Sequence, residues 1–274
     1  MSFIKTRVQG DVELLNTNRT GALYQITVSY QGQNIPMYVT LDGKSLIGGE
    51  VVPLTGETGT PSDPNTQQPV QQDIPKTDKP VVELFVMSHC PYGTQIEKGM
   101  LPVALLLKDK IDFQVKFVYY AMHGEKEVKE QLTQYCIMSE QKDKFLNYLK
   151  CFLTDETSGD KCLTNVSIDR TKLNACINAT DKKFNVMANL NNQSSWLSGR
   201  FPMFDIHKVD NDKYQVGGSP TLIINGVEAQ SGRDSPSLLK TICDAFNNAP
   251  AECETKLEAG TPSPGFGWDT TSSN

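Results

Sequence analysis

VVELFVMSHCPYGTQ, residues 81–95, is the stretch that decides the fold. Residues 81–87 are apolar and β-branched, as expected of a buried strand. Cys90 follows this strand, and Pro91 is a residue favoured in the first turn of a helix. Residues 94–108 then show helical spacing of apolar side chains. The stretch therefore predicts a buried strand, a turn that carries a cysteine, and a helix.

The cysteine in this turn has the setting of a nucleophile. In disulfide exchange the thiolate attacks, not the thiol. Cys90 stands at the predicted helix N-terminus, where backbone N–H groups and the helix dipole favour negative charge. His89, if protonated, would favour the thiolate further. The turn lacks a second cysteine, because Gly93 stands where a Cys-x-x-Cys pair would end.

The pattern after this turn predicts the order of the remaining elements. IDFQVKFVYY, residues 111–120, reads as a second strand, and an amphipathic helical pattern covers residues 125–152. GSPTLIINGVEAQSGR, residues 218–233, reads as a strand, an Asn-Gly turn and a strand, and a last helix follows. The order is β-α-β, a helical insertion at about 124–200, then β-β-α. This order predicts an α/β chain with a thioredoxin-like fold.

The composition divides the chain into four parts. Residues 1–55 are expected to form a small β-rich domain, because YQITVSY and IPMYVTL alternate in the strand manner and LDGKSLIGGEV adds an Asp-Gly turn. Residues 56–79 are rich in Pro, Thr and Gln, which predicts an extended linker. The thioredoxin-like domain is expected over residues 80–253. Residues 254–274 are rich in Gly, Pro, Ser and Thr, which favours a flexible tail.

Charge and hydropathy exclude some classes of protein. The 274-residue chain has a net charge of −6, which argues against nucleic-acid binding because that function needs a basic surface. No apolar run reaches the length of a membrane span. The N-terminus, MSFIKTRVQGDVE, is too polar for a signal peptide. The protein is therefore either cytosolic or carries its export signal outside this sequence.

The cysteines favour export. Six of the seven lie outside the turn and form no Cys-x-x-Cys pair, and there are three histidines, so neither a metal site nor a cofactor is expected. An even number favours three disulfides over buried free thiols. Disulfides imply an oxidising, extracytoplasmic compartment. The full-length form is then expected to be exported or membrane-anchored.

The spacing of these six cysteines suggests a pairing. Cys243 and Cys253 stand apart from the rest and are expected to pair. The other four allow three pairings. The favoured set is Cys136–Cys176 with Cys151–Cys162, joining the ends of a helical hairpin. The alternative is that one of the six resolves a disulfide on Cys90, which would break the even count.

Three segments resemble known families. FVMSHCPYG and GSPTLIING resemble the thioredoxin-fold disulfide oxidoreductases of the DsbA type, over residues 80–246. The insertion, with QYCIMSEQ and KCLTNVSIDRTKLNACI, looks like that of the GILT thiol reductases and of DsbA-like exported proteins of archaea. YVTLDGKSLIGGEVVPL is similar to the N-terminal domain of DsbC-type disulfide isomerases, which dimerises two thioredoxin modules. The last resemblance implies a homodimer through residues 1–55.

The resemblance assigns roles to the residues of the site. Cys90 takes the role of the attacking thiolate. Pro220 takes that of a cis proline lying against the nucleophile, and Ser219 aligns an extended substrate through its backbone. Tyr92 is expected at the rim of the site. These families carry a resolving cysteine where this chain has Gly93, and nothing in the motif replaces it.

Two classes of function follow. A lone nucleophile suits disulfide isomerisation or monothiol exchange on exported proteins with cysteines, and release then needs a substrate cysteine, a small thiol, another cysteine of the chain or a membrane redox partner. It suits net oxidation by internal disulfide transfer poorly. The alternative is a non-catalytic peptide-binding or chaperone module with a packed Cys90. A glutathione-transferase-like enzyme is disfavoured, because no second all-helical domain is recognisable.

Overall fold

The chain divides into two compact units, Met1–Thr66 and Gln67–Asn274. The computed structural model describes residues 12–20, 23–30, 33–40, 46–47 and 73–271. Four strands of the first unit form one antiparallel sheet in the order β1-β2-β3-β4. They are β1 Val12–Thr20, β2 Leu23–Tyr30, β3 Gln33–Thr40 and β4 Leu46–Ile47. The predicted Asp-Gly turn and most of the predicted linker lie outside the described residues.

The second unit is built on a mixed sheet in the order β6-β5-β7-β8. Its strands are β5 Val81–Val86, β6 Asp112–Phe117, β7 Thr221–Ile224 and β8 Val227–Glu228. β5 and β6 run parallel, whereas β7 is antiparallel to both β5 and β8. The Asn-Gly turn between β7 and β8 has positive φ at Asn225 (50°) and Gly226 (85°), as tight hairpin turns require.

Helices surround this sheet. α1 Pro91–Leu107 connects β5 to β6, and α8 Ser235–Cys243 follows β8. The insertion contains α2 Glu125–Glu140, α3 Lys142–Phe152, α4 Gly159–Asn165, α5 Arg170–Phe184, α6 Val186–Asn191 and α7 Lys208–Tyr214. The predicted single pattern over 125–152 is two helices, because Gln141 leaves helical geometry (φ −145°, ψ 48°). The insertion also extends past residue 200, to the end of α7. The element order confirms the predicted thioredoxin-like α/β fold.

Strand β5 is buried on both faces, which explains its continuous apolar sequence. Val82, Leu84 and Val86 belong to the main core, together with residues of α1 and α8. Phe85 and Met87 belong to a second, smaller cluster on the other face. The turn that carries Cys90 therefore follows a strand, β5, that is packed against an apolar cluster on each face.

The six cysteines outside the turn are paired in the structure. The disulfides are Cys136–Cys176, Cys151–Cys162 and Cys243–Cys253. This is the pairing that the sequence analysis favoured. The bridges join α2 to α5, α3 to α4, and α8 to the segment after it.

The prediction of a flexible tail over residues 254–274 is wrong for the residues that the structure describes. Residues 255–271, here called the C-terminal strap, lie along α1. The ammonium of Lys98 donates to the carbonyls of Ser263 (2.6 Å) and Gly267 (2.7 Å), and the side chain of Gln95 donates to Pro262 O (2.7 Å). Backbone carbonyls need no apolar side chain to bind α1, so composition did not reveal the contact.

None of the helices that the structure describes combines the length and the apolar character needed to cross a bilayer.

Candidate active site

Cys90 precedes the first residue of α1. Its backbone is extended (φ −67°, ψ 125°) and Pro91 begins the helix. The Cys90 N–H donates to Met87 O (3.0 Å), which closes the turn after β5. The Cys90 carbonyl accepts the N–H of Thr94 (2.9 Å), the first hydrogen bond of the helix. The side chain of Cys90 therefore stands at the positive end of the helix dipole, where anions are stabilised.

The loop before β7 meets this turn. Cys90 is the chain's free cysteine and is half-buried. Its thiol lies 3.6 Å from the carbonyl oxygen of Ser219, to which it donates, and the Ser219–Pro220 peptide bond is cis. The Ser219 hydroxyl accepts the N–H of Met87 (2.9 Å), so the loop is bonded to the turn at two points. Segments 129 residues apart are thus brought together.

Gly93 lies at the same junction. A Cβ at this position would stand 2.7 Å from Ser219 Oγ and 3.0 Å from Met87 O. Both distances are shorter than ordinary contacts between these atoms. The Ser219 hydroxyl therefore lies in space that a side chain at position 93 would need.

His89 is not the cation that the sequence analysis considered. It is buried, and its ring packs against Phe152 and Phe266, with both centroid distances 5.6 Å. Burial lowers the pKa of His89 to about 4, although Glu127 opposes the shift. The imidazole is therefore neutral near pH 7, and its contribution to the site is packing. The burial of His89 could not be predicted from the sequence, because Phe152 and Phe266, the rings that cover it, are distant along the chain.

The rim of the site carries two tyrosines and an arginine. Tyr92 is 54 % exposed and the Arg233 guanidinium lies 4.8 Å from its ring centroid. Tyr120 packs in the same small cluster as Cys90 and donates to Gly217 O (3.1 Å). Burial raises the pKa of Tyr120, and Tyr119 and Cys90 add to the shift.

Tyr120 was missed in the sequence, although a signal existed. β5 and β6 are parallel, so their carboxyl ends meet at one edge of the sheet. Cys90 follows β5, and Tyr120 follows β6 by a few residues. Side chains after the second strand of a parallel pair are therefore candidates for the site.

Glu127 joins the insertion to the site turn. Its carboxylate is fully buried and accepts the backbone N–H groups of His89 (3.2 Å) and Met122 (2.8 Å). It also contacts His123 Nδ1 at 2.6 Å. The turn before Cys90 is thus fixed from α2, a role that the spacing of the sequence did not indicate.

The strap forms another side of the site. The N–H of Gly265 donates to Pro91 O (2.9 Å), one residue after the free cysteine. Phe266 contacts both His89 and Phe152, and its ring centroid is 5.2 Å from that of Phe152. The N-terminal turn of α1 is therefore held by β5, by the Ser219 loop and by the strap.

This arrangement can present one sulfur nucleophile beside an extended backbone segment. The described residues contain no group of three or more His, Cys, Asp or Glu that could hold a metal ion. All other cysteines of the chain are paired with each other. A resolving thiol for Cys90 would therefore have to come from outside the chain or from an opened bridge.

No protein-family model matches the sequence, and no curated protein matches it. Solved structures do match. DsbA from Mycobacterium tuberculosis in its reduced form has a TM-score of 0.45 and 15% identity, over 72% of this chain and 92% of that chain. Reduced DsbG from the same organism has a TM-score of 0.44 and 15% identity, over 67% and 88%.

A third similar structure is the thiol-disulfide oxidoreductase MdbA from Actinomyces oris. Its TM-score is 0.40 and its identity 13%, over 63% of this chain and 84% of that chain. These three structures are a DsbA, a DsbG and a further thiol–disulfide oxidoreductase, the kind of protein that the sequence resembles.

Proposed function

We propose that this protein carries out thiol–disulfide exchange on protein substrates that contain cysteines, with Cys90 as the attacking thiolate. The observation that carries the proposal is the placement of one free, half-buried cysteine at the N-terminus of α1, against the Ser219 carbonyl. The helix terminus stabilises a thiolate, and Ser219 and Pro220 offer a backbone edge on which an extended peptide can align.

The reaction starts with attack on a substrate disulfide. The Cys90 thiolate attacks one sulfur, the substrate disulfide breaks, and a mixed disulfide and a substrate thiolate form. In isomerisation a substrate thiolate then attacks the mixed disulfide on the substrate side. A new substrate disulfide forms and the Cys90 thiolate leaves, so no electrons are gained or lost. With a small thiol in place of the substrate thiolate, the same step is monothiol exchange.

Isomerase or monothiol activity is favoured over net oxidation. Net oxidation by internal disulfide transfer needs a second thiol beside Cys90, and position 93 is glycine. The pairing of the other six cysteines supports the same choice.

The proposal includes the setting of the protein. Three disulfides favour an oxidising, extracytoplasmic location. The resemblance of residues 1–55 to a dimerising domain favours a homodimer, whose two sites would face one client. A non-catalytic peptide-binding module could have the same location and the same dimeric state, so these two features do not distinguish it from an enzyme.

The test is reactivation of scrambled ribonuclease in a glutathione buffer. The wild-type protein is expected to accelerate reactivation, and Cys90→Ser and Cys90→Ala are expected to reduce the acceleration at least tenfold, because both remove the nucleophile. Circular dichroism of each variant checks that the fold is retained. Acceleration that survives both substitutions would contradict the proposal and favour the peptide-binding alternative, which needs no thiol.

A further inference from the structure

The side chain of Arg233 lies along one face of helix α1. Tyr92, Gln95 and Gly99 are three and four residues apart, so they share that face. The Arg233 carbonyl packs against Gly99, where a Cβ would overlap with its oxygen, and Arg233 Nη1 donates to Gln95 Oε1 (2.8 Å). The guanidinium carbon is 4.8 Å from the Tyr92 ring centroid. The positive charge is therefore placed beside the N-terminal turn of α1, next to Cys90.

Neighbouring contacts fix the arginine in this position. The Ser235 hydroxyl donates to the Gly99 carbonyl (2.8 Å), which holds the backbone after Arg233 against α1. The amide nitrogen of Gln95 donates to the strap carbonyl of Pro262 (2.7 Å), so the amide oxygen is directed to the guanidinium. The strap thus orients the amide that binds the arginine. A guanidinium held in this way loses little conformational entropy when it binds a ligand.

The described residues leave the charge of Arg233 unpaired. A guanidinium has several N–H donors, and one of them has an acceptor in the described part of the chain, Gln95 Oε1. The adjacent carboxylate, Asp234, accepts the N–H of Ser237 (2.8 Å) and caps α8. Arg233 therefore has donors available for an anion that comes from outside the described chain.

We propose that Arg233 is a specificity-determining residue, which binds a carboxylate side chain of the protein substrate near the cysteine that Cys90 attacks. The inference rests on the proposed function and names a substrate class for it, proteins with an acidic residue close to the reacting cysteine. A guanidinium can bind a carboxylate through two parallel N–H donors. An extended peptide advances about 3.4 Å per residue, so an acidic side chain within about three residues of the cysteine can reach this turn. The Tyr92 ring, 54 % exposed, offers the peptide an apolar surface beside the charge.

The experiment uses peptides that differ in one side chain. Each has uncharged ends, a single cysteine carried as a pyridyl disulfide, and Glu, Gln or Lys at the second position before or after that cysteine. The Cys90 thiolate attacks the peptide sulfur, the disulfide breaks, and pyridine-2-thiolate leaves and takes a proton to form the thione, whose absorbance gives the rate. The variants are Arg233→Gln and Arg233→Glu. Arg170→Gln is the control for net charge, because Arg170 is an exposed arginine of α5.

We expect the wild type and Arg170→Gln to react about fivefold faster with the Glu peptide than with the Gln peptide, in at least one of the two positions. Added salt should reduce this ratio. Arg233→Gln should bring it to about one, and Arg233→Glu should favour the Lys peptide. Equal rates for the Glu and Gln peptides in the wild type would overturn the inference. So would a ratio that survives Arg233→Gln, because the helix terminus would then be its source.

A binding measurement separates this inference from the proposed function. Peptides with serine in place of cysteine and a neutral fluorophore are titrated with the Cys90→Ser variant, and anisotropy gives their affinity. The Glu peptide should bind about fivefold more tightly than the Gln peptide, and Cys90→Ser/Arg233→Gln should lose this difference. Binding with this preference but without reaction at Cys90 in the wild type would contradict the proposed function alone. Reaction at Cys90 without any preference in rate or affinity would contradict this inference alone.

Discussion

Helix α1 buries two charged residues next to each other, and its surroundings treat them differently. Lys98 and Glu97 are each 1 % exposed. The Lys98 ammonium donates to two carbonyls of the strap. The Glu97 carboxyl oxygens have no hydrogen-bond partner among the described residues. Burial raises the pKa of Glu97 well above its ordinary value, and Glu130 on α2 adds to the shift.

The comparison shows two ways of burying an ionisable side chain. On the strap side, backbone carbonyls satisfy the donors, and the cost of desolvating the ammonium is offset by hydrogen bonds. On the insertion side, the carboxyl is favoured in its neutral form, because neither a cation nor a donor meets it in the part of the chain that the structure describes. The strap therefore binds α1 through hydrogen bonds to Lys98, whereas the insertion covers the Glu97 carboxyl without a hydrogen bond to it.

The largest expected effect is that of removing the strap. A chain that ends at Leu257 loses the packing of Phe266 and leaves the Lys98 ammonium without its acceptors. We expect the free energy of unfolding to fall by about 4 kcal/mol. Urea-induced unfolding followed by circular dichroism measures it. The control is a chain that ends at Thr271, and equal transitions for the two chains would break the comparison on the strap side.

A smaller effect is expected from Lys98→Met. Methionine keeps the apolar stem but leaves the carbonyls of Ser263 and Gly267 without their donor. We expect a loss of about 2 kcal/mol in the free energy of unfolding, measured in urea. Lys110→Met is the control, because Lys110 is exposed in the 3-10 turn Lys108–Lys110 that follows α1, and its effect should stay within about 0.5 kcal/mol. A Lys98→Met protein as stable as this control would show that the two carbonyl bonds contribute nothing net.

The smallest effect is expected from Glu97→Gln. The amide replaces a carboxyl that is already favoured in its neutral form, so the variant should lie within about 1 kcal/mol of the wild type at about pH 4, where the unfolded chain also keeps most of the Glu97 proton.

The pH dependence of the same variant has a definite sign. As pH rises above about 4.5, the unfolded wild-type chain loses the Glu97 proton while the folded chain keeps it, so wild-type stability falls. Glutamine does not titrate, so the variant gains on the wild type between pH 6 and pH 8. Urea unfolding at both values measures this difference, with the exposed Glu140→Gln as control. If Glu97→Gln became less stable relative to the wild type as the pH rises, Glu97 would not be neutral in the folded chain.

Local sequence pattern predicted the parts of the site that depend on neighbours along the chain. The apolar, β-branched run predicted strand β5, and Cys90 and Pro91 predicted the turn and the start of helix α1. These predictions succeeded because each depends on residues that are neighbours along the chain. The Ser219–Pro220 loop could be predicted because it precedes a recognisable strand and hairpin. The sequence also shows Gly93 at the position where a Cys-x-x-Cys pair would end.

Contacts between distant segments were not predictable in the same way. The composition of the strap indicates little helix or strand, and the structure contains little of either there. The carbonyls of the strap nevertheless accept hydrogen bonds from side chains of α1. The neutral state of His89 depends on Phe152 and Phe266, which meet it only in the folded chain. The position of the Ser219 hydroxyl against Gly93 likewise follows from tertiary structure.

The strap also sets the order in which the site can be completed during synthesis. Lys98 and its acceptor Ser263 are 165 residues apart, so the strap is synthesised well after α1. Chains fold from the N-terminus as they emerge, so β5, α1 and Cys90 are available long before the segment that covers them. A nascent chain therefore carries its nucleophile on an incompletely buried helix while its other six cysteines are still finding partners. The site can therefore be completed only after the strap has been synthesised.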